Sequence, residues 1–145
     1  IANRQIVIVQ DGSDIKNKSD LSGKVVGIQL GSSSVTAVES EPEVLESFEE
    51  LRKFSNNTEA LLDLQSGRVN AVVVDEIVGR YYMSKKPGQF KVLEENFGRE
   101  EYGIGVRDGA DSFRKALNET LEEMIEDGTA AEISEKWFGE DILLK

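Results

Sequence analysis

Cysteine and histidine are both absent from these 145 residues. With them go disulfides, thiol nucleophiles, the common zinc ligand sets and imidazole acid–base catalysis. The lack of cysteine does not assign a compartment. No apolar run approaches the roughly 18–20 residues that a membrane-spanning helix needs. Positive charge is scarce: 17 Lys and Arg stand against 28 Asp and Glu, for a net charge of −11. The basic residues are scattered, so no patch offsets a field that repels nucleic acid and anionic membrane. No metal, no cofactor and no nucleic-acid partner is expected, and any enzyme would have to work with Asp, Glu, Ser, Lys or Tyr.

What remains is a globular composition, 39% hydrophobic and 31% charged, in a length that suits one domain with a buried core. The chain opens at Ile1, with no Met and no signal peptide, in what reads as a strand. That leads us to expect an excised fragment or a processed protein.

Gln5–Val9 (QIVIV) is a buried-strand candidate, ended by Asp11-Gly12-Ser13. A second strand is expected over Val25–Ile28, ending near Gly31. The helix that follows is capped by Ser33 or Ser34 and stops before Pro42. Glu49–Phe54 reads as a modest strand. Asn56-Asn57 opens a helix carrying Ala60, Leu61 and Leu64 on one face, with Gly67 just past its end. Val69–Val74 (VNAVVV) is apolar enough to be covered on both faces. Ile77–Lys85 reads as a helix and Phe90–Leu93 as a strand. This alternation predicts an α/β layer with parallel strands. Beyond Asn96 we expect a strand over Tyr102–Val106, a helix over Ser112–Asp127 capped by Asp111 or Ser112, and a last helix over Ala130–Phe138. Ile133, Trp137 and Phe138 would anchor that last helix in the core.

Ligands of open α/β sheets sit beyond the carboxyl ends of the strands. Two candidate features lie there. The first is the turn of Gly31, Ser32, Ser33 and Ser34, whose N–H and O–H donors suit an anion or simply cap a helix. A phosphate fits poorly, because no G-x-x-x-x-G-K-[ST] pattern is present; a carboxylate fits better. The second is Asp75, which can accept from an ammonium group or cap the helix after it. If the two strand ends are neighbours, together they would suit a zwitterion. Gln29 is either a ligand-facing amide or an edge polar residue. Glu94-Glu95 and Glu100-Glu101 read as solvated charge runs rather than as a paired-carboxylate hydrolase site. At least one of Tyr81 and Tyr82 should pack.

Four phrases, LSGKVVGIQLGSSS, NNTEALLDLQSGRVNAVVVDE, EEYGIGVRDG and LNETLEEMIEDGTAAEISEKWFG, occur in an order and spacing that resemble the extracytoplasmic solute-binding proteins of polar amino acid ABC transporters. The resemblance covers nearly the whole chain. It implies a periplasmic-binding-protein-like type II fold, an α/β lobe with an open sheet flanked by helices. Residues 3–101 would form lobe two. Residues 102–145, a crossover strand and C-terminal helices, would belong to lobe one, whose N-terminal part is expected to be absent. The resemblance implies that Ser33 donates its hydroxyl to a ligand α-carboxylate, that Ser34 offers its backbone N–H, that Gly31 and Ser32 shape the turn, that Asp75 pairs with the α-ammonium, and that Gln29 meets the side chain. Asn70 departs from the family's usual Asp and is expected to be structural.

The implied function is non-enzymatic capture of a polar amino acid for the membrane subunits of an ABC importer, in an extracytoplasmic location. A sensor-kinase or ionotropic-receptor ligand core is the alternative. A dehydratase-like enzyme fits less well. The stripe of Phe113, Leu117, Leu121, Met124 and Ile125 would lie exposed on a lone chain, so a rearranged tail, a domain swap or a dimer is expected.

Overall fold

The computed structural model describes residues 2–143. Five strands form one sheet: β1 (Ala2–Gln10), β2 (Val25–Gln29), β3 (Glu50–Phe54), β4 (Ala71–Asp75) and β5 (Phe90–Glu101). Their spatial order is β3-β2-β4-β1-β5. β2 runs parallel to both β3 and β4, while β1 runs antiparallel to β4 and to β5. The expectation of parallel strands holds for β2, β3 and β4 and is corrected at β1. β1 enters the sheet from the opposite end and reverses one central strand.

Helices cover both faces, which is why β4 is apolar and buried from Ala71 to Val74. Along β1 the side chains alternate. Val7 and Val9 join Val26, Ile28, Val38 and Val73 on one side. That side is covered by α1 (Ser33–Glu39) and α2 (Pro42–Ser47). Ile6 and Ile8 join Leu61, Leu64, Val72 and Val74 on the other. There the cover is α3 (Asn57–Gln65) and α4 (Glu76–Ser84). Asn56 caps α3 by accepting from the Glu59 N–H at 3.0 Å. Asn70 holds the start of β2 with its side-chain oxygen 2.9 Å from the Val25 N–H, a structural role, as expected.

Gly79 lets α4 lie close on the sheet. A Cβ there would meet the Ile8 Cδ1 at 2.8 Å, the Val74 Cγ1 at 3.0 Å and the Ile6 Cδ1 at 3.1 Å. All three side chains are buried, so none has room to swing away. Gly79→Val is expected to lower stability by about 1–3 kcal/mol through overpacking, read as a lower urea midpoint. An unchanged midpoint would show that α4 can lift without cost.

The C-terminal part departs most from expectation. Tyr102–Val106 is not a strand, since no neighbouring strand among the described residues offers it a ladder. α5 (Asp111–Glu126) is capped by Ala110 and has no side-chain cap bond, so neither Asp111 nor Ser112 is the cap. α6 (Thr129–Phe138) packs on α4 and α5 rather than on the sheet. Ile133 and Trp137 are consequently not core anchors: they are 45% and 47% exposed, and Trp137 stacks on Tyr81 with ring centroids 6.2 Å apart. Tyr82 is the packing tyrosine, 6.0 Å from the Phe90 ring. On α5, Phe113, Leu121 and Ile125 are exposed, as the stripe reading expects, whereas Leu117 and Met124 are half-buried.

Candidate functional site

β2 and β4 are adjacent and parallel, so their carboxyl ends lie side by side. The turn after β2 and the end of β4 are thereby brought to one edge of the sheet. Gly31 has φ 71°, a left-handed conformation that favours glycine and lets the chain reverse from strand into helix. Ser32, not Ser33 or Ser34, is the N-cap of α1, and its hydroxyl donates back to the Gln29 carbonyl at 2.8 Å. The cap assignment is corrected for that reason: Ser32 still has extended backbone, while Ser33 and Ser34 are the first helical residues. α1 has only seven residues, so its dipole is small, and the donors of the turn rather than the macrodipole shape the local field.

Ser33 is exposed and Ser34 is buried. Both bond to Gln5, which reaches up from β1 and is 3% exposed. The Gln5 Nε2 donates to the Ser33 Oγ at 3.1 Å and to the Glu100 Oε1 at 2.5 Å, and the Gln5 Oε1 accepts from the Ser34 hydroxyl. Asn3, two residues earlier on the same face of β1, donates through Nδ2 to the Glu100 Oε1 at 2.5 Å and to the Asp75 Oδ2 at 2.7 Å. The serine turn and Asp75 are thus the two ends of one polar chain running through Gln5, Glu100 and Asn3. The Asn3 Oδ1 in this chain is buried without a partner.

Asp75 serves the capping role that its position suggested, and its second oxygen is taken up by neighbouring donors. Its Oδ1 caps α4 by accepting from the Val78 N–H at 3.2 Å, and its Oδ2 accepts from the Tyr102 hydroxyl at 2.7 Å as well as from Asn3. Tyr102 is pushed up from the ordinary 10.0 to about 12, first by burial and then by its hydrogen bond to the Asp75 carboxylate. Because the folded value lies above the unfolded one, this contribution to stability is complete below 10.0 and is lost as the pH rises toward 12. Tyrosinate absorbance should show a step near pH 12, and Tyr102→Phe should remove that final step. An unaltered final step would place the high-pH phenol elsewhere.

Gln29 is not an edge residue, since β2 lies between β3 and β4. Its Oε1 accepts from the Asn57 Nδ2 at 2.7 Å, which leaves its NH2 group beside the turn. The other face of the sheet supports this edge. Glu76, 2% exposed, accepts from the Arg4 Nε at 2.8 Å and from the Arg80 Nε at 2.8 Å. Arg80 also reaches the Glu140 Oε1 at 2.7 Å, tying the end of α6 to α4.

Sequence reasoning missed Asn3, Gln5, Glu100 and Tyr102. Glu100 had the look of a solvated charge run, yet it receives both amides. One signal was available. Asn3 and Gln5 are amides two residues apart, ahead of an apolar run, so they share one face of the strand where that face leaves the core.

The sequence profile of the bacterial extracellular solute-binding proteins, family 3, matches residues 1–140. The L-cystine-binding protein TcyJ of Escherichia coli (strain K12) is 32% identical over 137 residues, covering 93% of this chain and 50% of its own length. A polar amino acid ABC uptake transporter substrate binding protein from Streptococcus thermophilus superposes with a TM-score of 0.83 at 29% identity, over 99% of this chain and 56% of that one. An ancestral arginine-binding protein bound to glutamine superposes with a TM-score of 0.67 at 43% identity, over 97% of this chain and 61% of that one. The chain spans about half the length of the curated relatives it matches.

Proposed function

We propose, from the premise that this chain belongs to the bacterial extracellular solute-binding proteins of family 3, that it carries half of a cleft that binds a polar amino acid. The observation that carries this reading is the adjacency of the β2 and β4 ends, which sets a turn of hydroxyl and N–H donors beside a carboxylate acceptor. The ligand's α-carboxylate lies against Ser33 and the Ser34 N–H. Its α-ammonium lies against Asp75, and the Gln29 amide faces its side chain. Gly31 and Ser32 hold the turn. The role is capture and delivery to the membrane subunits of an ABC importer outside the cytoplasm, without chemical conversion of the ligand.

In this reading residues 3–101 form one lobe, and residues 102–145 return to a second lobe that supplies the opposing contacts. The exposed apolar stripe of α5 is the surface that the rest of such a lobe would cover. A lone half-site binds weakly, because each lobe supplies only part of the contacts and closure by hinge motion excludes water from both.

Calorimetry of the complete protein against the common L-amino acids and L-cystine tests the proposal. At least one should bind with a Kd of about 1 µM or tighter, equivalent to about −8 kcal/mol. The primary amide of that ligand, which lacks the carboxylate, should bind at least about tenfold more weakly. If no amino acid binds, the reading fails.

A further inference from the structure

The two neighbouring serines differ in what their hydroxyls can do, and the difference originates on β1 and β5. An amide side chain has one donor end and one acceptor end, whereas an ionised carboxylate only accepts. Glu100 therefore decides which end of Gln5 faces which group. Its Oε1 lies 2.5 Å from the Gln5 Nε2, so the NH2 end points toward Glu100 and toward the Ser33 Oγ, 3.1 Å away. The carbonyl end is left for Ser34, whose hydroxyl donates to it. Ser34 has thus spent its proton inside the protein and is itself 2% exposed, which leaves only its backbone N–H for a ligand. Ser33 is the reverse case. It accepts from Gln5, so its own proton is unused in that bond, and the residue is exposed.

We infer that Gln5 is a positioning residue that fixes Ser33 as a hydrogen-bond donor toward the ligand, with Glu100 fixing the orientation of the Gln5 amide. The inference rests on the amino-acid reading above and deepens it. It explains why one serine works through its side chain and its neighbour through its backbone. It also makes a buried strand residue a determinant of affinity for carboxylates.

The test is a double-mutant cycle in the complete protein, read by calorimetry with the tightest binder among the common L-amino acids and L-cystine. Ser33→Ala alone should weaken binding about tenfold or more, as for a hydrogen bond to a charged group. Gln5→Glu presents acceptors at both ends, so Ser33 turns its proton inward. Binding should weaken by a similar factor, and adding Ser33→Ala to Gln5→Glu should then change little. The charged groups around this position are Glu100 and Arg99 on β5, which line the same groove, and Asp75 opposite Gln5 on β4. Beside Glu100 the introduced carboxyl is raised above its ordinary range. A neutral carboxyl there has one O–H where the amide had two N–H donors, and Glu100 takes it, so lowering the pH should leave the affinity of Gln5→Glu low.

Exchanging the two groups, Gln5→Glu with Glu100→Gln, restores the net charge but still leaves an acceptor facing Ser33. Affinity should stay low. Recovery in the exchanged protein would mean that charge, not hydroxyl direction, controls binding, and would overturn the inference. Additive losses in the cycle would overturn it too. If Gln5→Glu does not fold, Gln5→Met removes the amide without adding charge, and the same non-additivity with Ser33→Ala is expected. Absence of binding by the unaltered protein would overturn this inference and the amino-acid reading together. Binding with additive losses would overturn this inference alone.

Discussion

Replacing Asp75 by Asn in the complete protein is expected to raise the Kd for its amino acid by about two to three orders of magnitude. Truncating one partner of a buried, hydrogen-bonded charge pair typically costs about 2–5 kcal/mol, and every 1.4 kcal/mol is tenfold. The Asn side chain keeps the shape and keeps one oxygen for the Val78 N–H, so the cap on α4 survives. What changes is the other side-chain atom. In place of an oxygen that accepts from Asn3 and Tyr102 at 2.7 Å each, an NH2 group would face two donors and the ligand's ammonium. Affinity should fall by that factor, and the lost bonds from Asn3 and Tyr102 should lower the melting temperature as well. A Kd within threefold of the unaltered protein would remove Asp75 from the site.

The second large effect concerns stability. Glu76→Ala is expected to lower the unfolding free energy by about 3 kcal/mol, near the lower end for breaking a buried ion pair, because the Arg4 side chain is a third exposed and can rehydrate. Arg80 is less free, at 14% exposure, and keeps Glu140 as its partner. The same carboxyl sets an acid limit. Burial pushes the Glu76 carboxyl up, but hydrogen bonds from Arg4 and Arg80 outweigh it, and the net value lies below the ordinary 4.5. A depressed carboxyl stabilises the fold above its unfolded value and loses that contribution as the pH falls through its folded one. Denaturant unfolding should show stability falling below about pH 4.5 in the unaltered protein and a shallower fall in Glu76→Ala. Parallel curves would contradict this.

Local signals made much of the fold legible. The VVV run of β4, the Asn56 cap of α3 and the glycine after it all stand where sequence patterns place them. Pro42 was misleading, because it reads as a stop for α1 and is also the first residue of α2. Proline lacks an N–H that the first turn of a helix does not need, so one residue carries both meanings. β5 was legible only as far as Leu93. It continues to Glu101 because an edge strand tolerates exposed charge on one side, and its pairing with β1 shifts register between Arg4 and Ile6 and again between Ile6 and Ile8. The direction of β1 was not legible at all, since an apolar run reads the same in either orientation.

At the site, the residues at strand ends could be chosen from sequence, because strand ends can be located without knowing their partners. Whether β2 and β4 were neighbours could not. The inner polar chain stayed hidden for a related reason. Asn3, Gln5 and Glu100 act through contacts separated by 97 and 95 residues, which only the antiparallel β1–β5 pairing brings together. Arg4 and Glu76 follow the same rule on the opposite face, where alternation along β1 sends even-numbered side chains toward α4.

The most direct measurement is a binding cycle between the ligand ammonium and Asp75. The complete protein and its Asp75→Asn variant are titrated by calorimetry with the bound amino acid and with the analogue in which hydrogen replaces the ammonium group. If Asp75 takes the ammonium, removing that group should cost the unaltered protein about a hundredfold or more and the variant less than about tenfold, since the pair is already broken there. An equal penalty in both proteins would show that the ammonium is held elsewhere.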